Sequence, residues 1–239
     1  MTGTLHAYPT PEEVAEGFAK FLQASVEEAA VFNIALSGGS TPKLLFKILS
    51  KNYENKLDWD KIHFYWGDER CVDPENEESN FKMTNDLLFM PLNIKAENIH
   101  RVLGEGVPDN EASRYSAEIL KNVSSKDQLP EFDMIILGMG EDGHTASIFP
   151  HQMELLKADR ICDVAIHPTS GQKRITITGE TLNNAKKVAF LLTGSGKRAK
   201  VDEIFNKSGN WTKYPAAHIV PKHGELHWFL DEAAIPDHF

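Results

Sequence analysis

The chain has 239 residues, of which 41% are hydrophobic and 25% are charged, as in globular proteins that bury a substantial core. Its 25 Lys and Arg against 35 Asp and Glu give a net charge of −10, which argues against nucleic acid or an anionic membrane as the main partner. Two cysteines far apart in the chain indicate neither a disulfide framework nor a metal-binding pair.

The N-terminal residues contain no basic segment followed by an apolar stretch, and no apolar run approaches the roughly 18 residues of a membrane span. We therefore expect a cytoplasmic protein. No repeat or low-complexity linker indicates a domain boundary, so residues 1–239 are predicted to form a single α/β domain.

The first predicted helix begins with Thr10-Pro11-Glu12-Glu13, where Thr10 caps the helix and Glu13 completes a capping box, and it extends to about Ala30. Strand-like runs follow at 32–36, 62–66, 134–137, 161–166, 174–178, 188–192 and 226–230. Helical patterns fall between several of them, at 42–49, 79–89, 108–123 and 195–205. This alternation predicts a parallel or mixed sheet with helices on both faces.

A glycine-rich loop, Ser37-Gly38-Gly39-Ser40-Thr41, joins the first of these strands to an apolar helix. The glycines let the backbone approach an anion closely, and Ser40 and Thr41 offer hydroxyl groups. The helix N-terminus adds amide groups and the positive end of its dipole, so the loop indicates a phosphate site. An ordinary strand-turn-helix connection with Thr41 as the helix cap fits the same residues.

The strand at 62–66 runs into Gly67-Asp68-Glu69-Arg70. If the chain stays extended, Asp68 and Arg70 lie on the same side, where they could orient a polyol or a catalytic water. The alternative is an exposed charged turn with its own ion pair.

The strand at 134–137 leads into a glycine loop that ends in Asp142 and His144. His144 is the strongest catalytic candidate, because an imidazole titrates near neutral pH and can take and return a proton. Asp142 could orient it or bind substrate. Residues 138–143 also match the G-x-G-x-x-G pattern of dinucleotide sites, but Pro150 interrupts the helix that such a site requires.

A second glycine loop, Gly194-Ser195-Gly196-Lys197-Arg198, follows the strand at 188–192 and places Lys197 in the first turn of a helix. Lysine opposes the helix dipole there, which makes sense if it shares an anion with the amide groups, although a solvated lysine fits equally well. The Walker, G-x-S-x-G and H-E-x-x-H patterns are absent from the sequence. We therefore expect an acid–base site beside a phosphate site, with no metal and no cofactor.

The motifs in this order resemble the 6-phosphogluconolactonase family. The resemblance spans most of the chain and rests on the segments at 36–43, 66–70, 78–80, 137–150, 174–178, 192–197 and 228–231. It implies an α/β fold of three layers, α/β/α, with a mostly parallel Rossmann-like sheet and a smaller peripheral β element. It also implies hydrolysis of 6-phospho-glucono-1,5-lactone in the pentose phosphate pathway.

Carried over by position, the resemblance makes His144 the general base, with Asp68, Arg70 and Asp142 beside it. It assigns substrate and phosphate binding to Ser37, Gly38, Gly39, Ser40, Thr41, Asn80, Gly140, Arg174 and Lys197. The chain departs from the family pattern at Gly179-Glu180, where Leu-Pro is more usual.

Two other functions fit parts of the pattern. Glucosamine-6-phosphate deaminases share the phosphate loop and the Asp-Gly-His core, but Arg70 and the Ser-Ile-Phe-Pro that ends at Pro150 favour the lactonase. A non-catalytic sugar-phosphate sensor would need a DNA-binding module, for which neither the charge nor the first helix is suited. The expected partner is a phosphorylated sugar lactone, and the chain is expected to be a monomer or weak homodimer.

Overall fold

The computed structural model describes residues 2–238. Its strands are β1 Thr4–Tyr8, β2 Phe32–Leu36, β3 Ile62–Trp66, β4 Asp68–Arg70, β5 Ser125–Lys126, β6 Leu129–Pro130, β7 Met134–Leu137, β8 Cys162–Ile166, β9 Lys173–Ile177, β10 Lys187–Leu192 and β11 Glu225–Asp231. Its α-helices are α1 Pro11–Glu27, α2 Ser40–Asn52, α3 Asn80–Thr84, α4 Met90–Leu92, α5 Pro108–Asn122, α6 Gly179–Leu182 and α7 Arg198–Asn206. A π-helical turn, Asn85–Phe89, joins α3 to α4.

Six parallel strands form the central sheet, in the order β1-β11-β10-β7-β2-β3. A smaller antiparallel sheet has the order β4-β9-β8, and β5 pairs with β6 in a short hairpin. Helices flank the central sheet. The predicted three-layer α/β/α fold with a peripheral β element is therefore confirmed.

The core explains why the strand predictions succeeded where they did. Every residue of β2 and β7 is buried, as expected for strands covered on both faces, and each of these strands has the predicted bounds. Helix α1 buries Val14 and Phe18 completely and Leu22 to 3% exposure on the face toward the sheet. No helix among residues 2–238 has the length and apolar character to cross a bilayer.

Several local predictions need correction. Strand β1 was not expected, since Thr4–Tyr8 has no apolar run and gains its partner from β11 at the other end of the chain. Helix α1 ends at Glu27, short of Ala30. Thr10 does cap α1 by accepting a 3.2 Å hydrogen bond from the Glu13 N–H, but the Glu13 carboxylate accepts from the Thr10 hydroxyl group and not from its amide.

The departure at Gly179-Glu180 also has a physical reason. Gly179 is the buried first residue of α6. A methyl group built on it would lie 2.5 Å from the carbonyl oxygen of Leu156, so the backbone of Leu156 leaves room for glycine only. The change from the usual family turn therefore accompanies a short helix packed tightly against the 153–156 turn.

Candidate active site

Four loops meet at the carboxyl edge of the central sheet. Strands β10, β7, β2 and β3 are neighbours and run parallel, so the loops that follow them emerge side by side. The loop after β7, which contains Asp142 and His144, lies between the glycine loops after β2 and β10. Segments about a hundred residues apart in the sequence thus become adjacent in space.

A cavity of about 190 Å³ opens at this edge. Its walls include these predicted site residues: Ser37, Gly38, Gly39, Asp68, Arg70, Asn80, Gly140, His144 and Arg174. Gly138, Met139 and Ala146 complete the lining. The remaining predicted residues, Ser40, Thr41, Asp142 and Lys197, lie outside the lining and are described below.

His144 and Asp142 form a hydrogen-bonded pair at the end of the β7 loop. The Nδ1 atom of His144 lies 2.6 Å from Oδ1 of Asp142, which also accepts a 3.1 Å hydrogen bond from the His144 backbone N–H. Burial favours a higher pKa for Asp142, but the hydrogen bond and charge of His144 outweigh it and lower this pKa to about 2. Asp142 is therefore an ionised acceptor at neutral pH, so the hydrogen bond between them requires a proton on Nδ1 of His144.

Gly140 makes room for the imidazole. A methyl group built on Gly140 would lie 2.2 Å from Nδ1 of His144 and 2.7 Å from Oδ1 of Asp142. The Gly140 N–H donates to the carbonyl oxygen of His144, and the Gly143 N–H donates to the carbonyl oxygen of Gly140. The loop is thus closed on itself by its own backbone, with the ring lying against a residue that has no side chain.

The buried ring of Phe149 supports two functional side chains. Its centroid lies 4.8 Å from that of His144, and the guanidinium carbon of Arg174 lies 5.7 Å from the same ring. Phe149 is fully buried. The sequence motif contained Phe149, but nothing in its spacing indicated that the ring would hold the predicted base and a cation at once.

The small sheet supplies the charged wall of the cavity. Asp68–Arg70 is the strand β4, not a turn, and its pairing with β9 sets Arg70 opposite Arg174. Asp68 is 6% exposed and accepts a 2.6 Å hydrogen bond from the hydroxyl group of Ser147. Arg70 donates to the carbonyl oxygen of Glu78. Asp68 and Arg70 thus each form a hydrogen bond with a residue outside the segment 67–70. This agrees with the extended pair and not with the alternative of a charged turn that contains its own ion pair.

Two donors of this wall have no hydrogen-bond partner among the described residues. The Nε atoms of Arg70 and Arg174 are both buried and unpaired. Guanidinium groups bind carboxylate and phosphate oxygens through such donors. The wall is therefore suited to an anionic or polyhydroxylated ligand, even though the whole chain carries a net charge of −10.

The glycine loop after β2 has the shape that the phosphate interpretation requires. Gly39 immediately precedes α2 and has φ = 109°. A methyl group added to Gly39 would have no other atom within 4 Å. Gly38 lies so close to the amide of Asn80 that a side chain would collide with its oxygen. Ser40 begins the 13-residue helix α2 and is exposed. The helix N-terminus thus opens toward the cavity.

Thr41 lies outside the cavity lining, and its assignment to phosphate binding stays a prediction. Its side chain is 7% exposed, and its hydroxyl oxygen lies 2.9 Å from that of Thr193, just before the second glycine loop. The helix cap is Gly39 and not Thr41. Thr41 therefore joins the two glycine loops to each other at the sheet edge.

Lys197 does not line the cavity. It ends a turn of 3₁₀-helix, Ser195–Lys197, and precedes α7, so it does not occupy the first turn of the α-helix as predicted. The Gly194 N–H donates to both carboxylate oxygens of Asp231 at 3.0 Å, which anchors the loop. A methyl group on Gly196 would lie 3.3 Å from a carboxylate oxygen of Glu141, so the loop borders the one that carries His144.

Comparisons with known proteins agree with one another. A family model described as glucosamine-6-phosphate isomerases/6-phosphogluconolactonase matches residues 9–228. A protein named 6-phosphogluconolactonase from Aggregatibacter actinomycetemcomitans is 42% identical over 95% of this chain and 96% of its own length. One of the same name from Haemophilus influenzae is 41% identical over 96% of this chain and 97% of its own.

Solved structures extend this similarity to three dimensions. The crystal structure of the devB protein has a TM-score of 0.93 at 41% identity, with 97% of each chain covered. A 6-phosphogluconolactonase from Trypanosoma cruzi has a TM-score of 0.87 at 26% identity, covering 98% of this chain and 97% of its own. A monomeric glucosamine-6-phosphate deaminase, at 18% identity and a TM-score of 0.80, shares the fold.

Proposed function

Because the chain belongs to the glucosamine-6-phosphate isomerase/6-phosphogluconolactonase family, we propose that it hydrolyses 6-phospho-D-glucono-1,5-lactone to 6-phospho-D-gluconate. Membership confirms the resemblance seen in the motifs, and relatives that carry the name 6-phosphogluconolactonase confirm the expected enzyme class. One observation supports the reaction above all others: the same cavity is lined by His144 and by the glycine loop that begins at Ser37.

The chemistry needs a base and no covalent nucleophile, since a lactone is an activated ester. In the proposed reaction, Nε2 of His144 removes a proton from water while the water oxygen attacks C1. Asp142 holds the ring in the required tautomer and stabilises the imidazolium that forms. When the C1–ring oxygen bond breaks, the imidazolium returns its proton to the departing oxygen, and His144 is neutral again.

The negative charge that develops on the C1 oxygen needs a donor. Within the β7 loop, Gly140 and Gly143 already donate their N–H groups to loop carbonyls, so neither is free for this purpose. Of the groups expected for this role we favour Arg70, because its side chain lines the cavity and its Nε–H has no hydrogen-bond partner among the described residues.

The phosphate lies, in this proposal, at the N-terminus of α2. The backbone at Gly39, the hydroxyl group of Ser40 and the dipole of a 13-residue helix favour an anion there. Lys197 adds a charge from the neighbouring loop, which the Thr41–Thr193 contact holds beside the first. Binding of the phosphate fixes which face of C1 meets the water, so the remote group serves orientation.

The proposal also includes the remaining expectations from the sequence: one catalytic domain over residues 1–239, a cytoplasmic location, action in the pentose phosphate pathway, and a monomer or weak homodimer. The ends of this range, residues 1 and 239, lie outside the described residues. A single cluster of buried apolar side chains runs from Val14 to Ala234 and supports the one-domain organisation.

An assay with freshly generated 6-phosphogluconolactone beside glucosamine 6-phosphate tests the reaction. We expect acid release from the lactone above the spontaneous rate and no ammonia from the amino sugar. Ammonia release would favour a deaminase. Binding of either ligand without turnover would favour a sugar-phosphate sensor and end the proposal.

A further inference from the structure

Glu69 is a buried acid that has no role in the proposed reaction. It lies between Asp68 and Arg70 in β4, so its side chain points to the opposite side of the strand from theirs. It is 2% exposed. An ionised carboxylate in such a place is costly unless its oxygens are fully hydrogen-bonded.

Neutral groups alone donate the hydrogen bonds that Glu69 accepts. One carboxylate oxygen accepts from the N–H groups of Arg70 and Asn80, at 2.7 and 2.8 Å. The other accepts from the Phe81 N–H at 2.7 Å and the Ser79 hydroxyl group at 3.1 Å. Four donors thus converge on the roughly four acceptor sites that only a carboxylate offers. Burial raises the pKa of Glu69, and the three backbone N–H groups oppose this shift because they stabilise the ionised form.

These bonds join two elements that carry cavity-lining residues. Ser79 and Asn80 begin α3, so the Glu69 carboxylate fastens the start of this helix to β4. The Asn80 side chain then donates from Nδ2 to the carbonyl oxygen of Asp68 at 2.9 Å, and its oxygen lies directly over Gly38. Arg70, Asn80 and Asp68 all line the cavity, whereas Glu69 does not.

We propose that Glu69 is a positioning residue, which holds Arg70 and Asn80 at the geometry that the phosphorylated substrate requires without touching the substrate. The inference depends on the proposed function only for the identity of the ligand. A hydrophobic residue could fill the space but would leave four donors unpaired, and a glutamine offers one oxygen where two are needed.

The test variant is Glu69→Gln, which keeps the volume and removes one acceptor oxygen. Whichever way the amide is turned, its NH₂ group faces either the Phe81 N–H or the N–H groups of Arg70 and Asn80. We expect kcat/KM for the lactone to fall by about 100-fold, as a misplacement of about 1 Å would cause. The dissociation constant of 6-phospho-D-gluconate, measured by calorimetry, should rise on the order of tenfold.

Glu111→Gln is the matched control. Glu111 is also buried, at 5% exposure, and accepts from the Leu103 N–H and from Arg114, yet it does not line the cavity. We expect this variant to lose thermal stability while its kcat, KM and product affinity stay those of the parent. If both variants lose stability and neither changes kinetics or affinity, Glu69 is structural only and the inference is wrong.

Two further measurements keep the inference testable on its own. A crystal structure of Glu69→Gln should show Arg70 and Asn80 displaced; unchanged side chains would overturn the inference even if the parent protein hydrolyses no lactone. Should Glu69→Gln fail to fold, Ser79→Ala removes one of the four donors. It should weaken product binding in the same direction, and parental affinity would count against the inference.

Discussion

Replacing Gly140 by alanine should disable the imidazole of His144 while the fold survives. The added methyl group would lie 2.2 Å from Nδ1 and 2.3 Å from Cε1 of the ring. The three atoms nearest to it all belong to movable side chains, those of His144 and Asp142. The side chains can therefore give way without a change in the backbone.

The size of the displacement follows from these distances. Ordinary contact begins at 3.4 Å, so the ring must retreat by about 1 Å, and a shift of that size costs on the order of 100-fold in rate. We expect kcat for lactone hydrolysis to fall by about this factor, with the melting temperature of the variant within a few degrees of the parent.

Gly67→Ala provides the control for an added methyl group beside the site. A methyl group there would lie 3.5 Å from the carbonyl oxygen of Leu36, which is ordinary contact, and Gly67 does not line the cavity. Its kcat should stay within about threefold of the parent, since no functional side chain has to move. Parental turnover in Gly140→Ala would refute the claim that this glycine places the base.

Three further changes test other parts of the site. The low pKa of Asp142, about 2 against an ordinary 3.8, means that its interaction with His144 stabilises the fold above pH 3.8 and is lost as the pH falls toward 2. Asp142→Asn should therefore lower the free energy of unfolding at pH 5, by less than about 1 kcal/mol because the Asp142 side chain is 42% exposed. The difference from the parent should vanish near pH 2, and a difference that stays constant with pH would contradict this. Phe149→Leu should lower kcat by about tenfold and destabilise the fold by about 1 kcal/mol, as it removes the ring beneath His144 and Arg174; unchanged kinetics would show that the ring is packing only. Lys197→Ala should chiefly raise KM, and an unchanged KM would make Lys197 a surface residue.

The parts of the fold that were predictable are those with a local signal. Strands β2, β3 and β7 are short, largely apolar runs between polar segments, and their bounds were predicted to the residue. Strand β1 and the strand character of Asp68–Arg70 depend on partners far away in the chain, β11 and β9, so no window of sequence around them indicates the pairing.

The candidate site divides in the same way. Glycine loops after buried strands mark the cavity edge, which is why Gly39, Gly140 and His144 could be selected from sequence. Glu69 could not be selected from sequence, because hydrogen-bond donors to it lie on α3, outside its own segment. Thr41 was selected for its hydroxyl group, and its contact with Thr193 on the neighbouring glycine loop has no signal in the sequence around it.

The most direct test of the account is the turnover of His144→Ala on freshly generated 6-phospho-D-glucono-1,5-lactone, corrected for spontaneous hydrolysis. We predict that kcat falls by roughly 10²- to 10⁴-fold, as for the loss of a general base, while 6-phospho-D-gluconate still binds with nearly parental affinity. Parental turnover by the variant would remove the imidazole from the reaction and contradict the proposed mechanism.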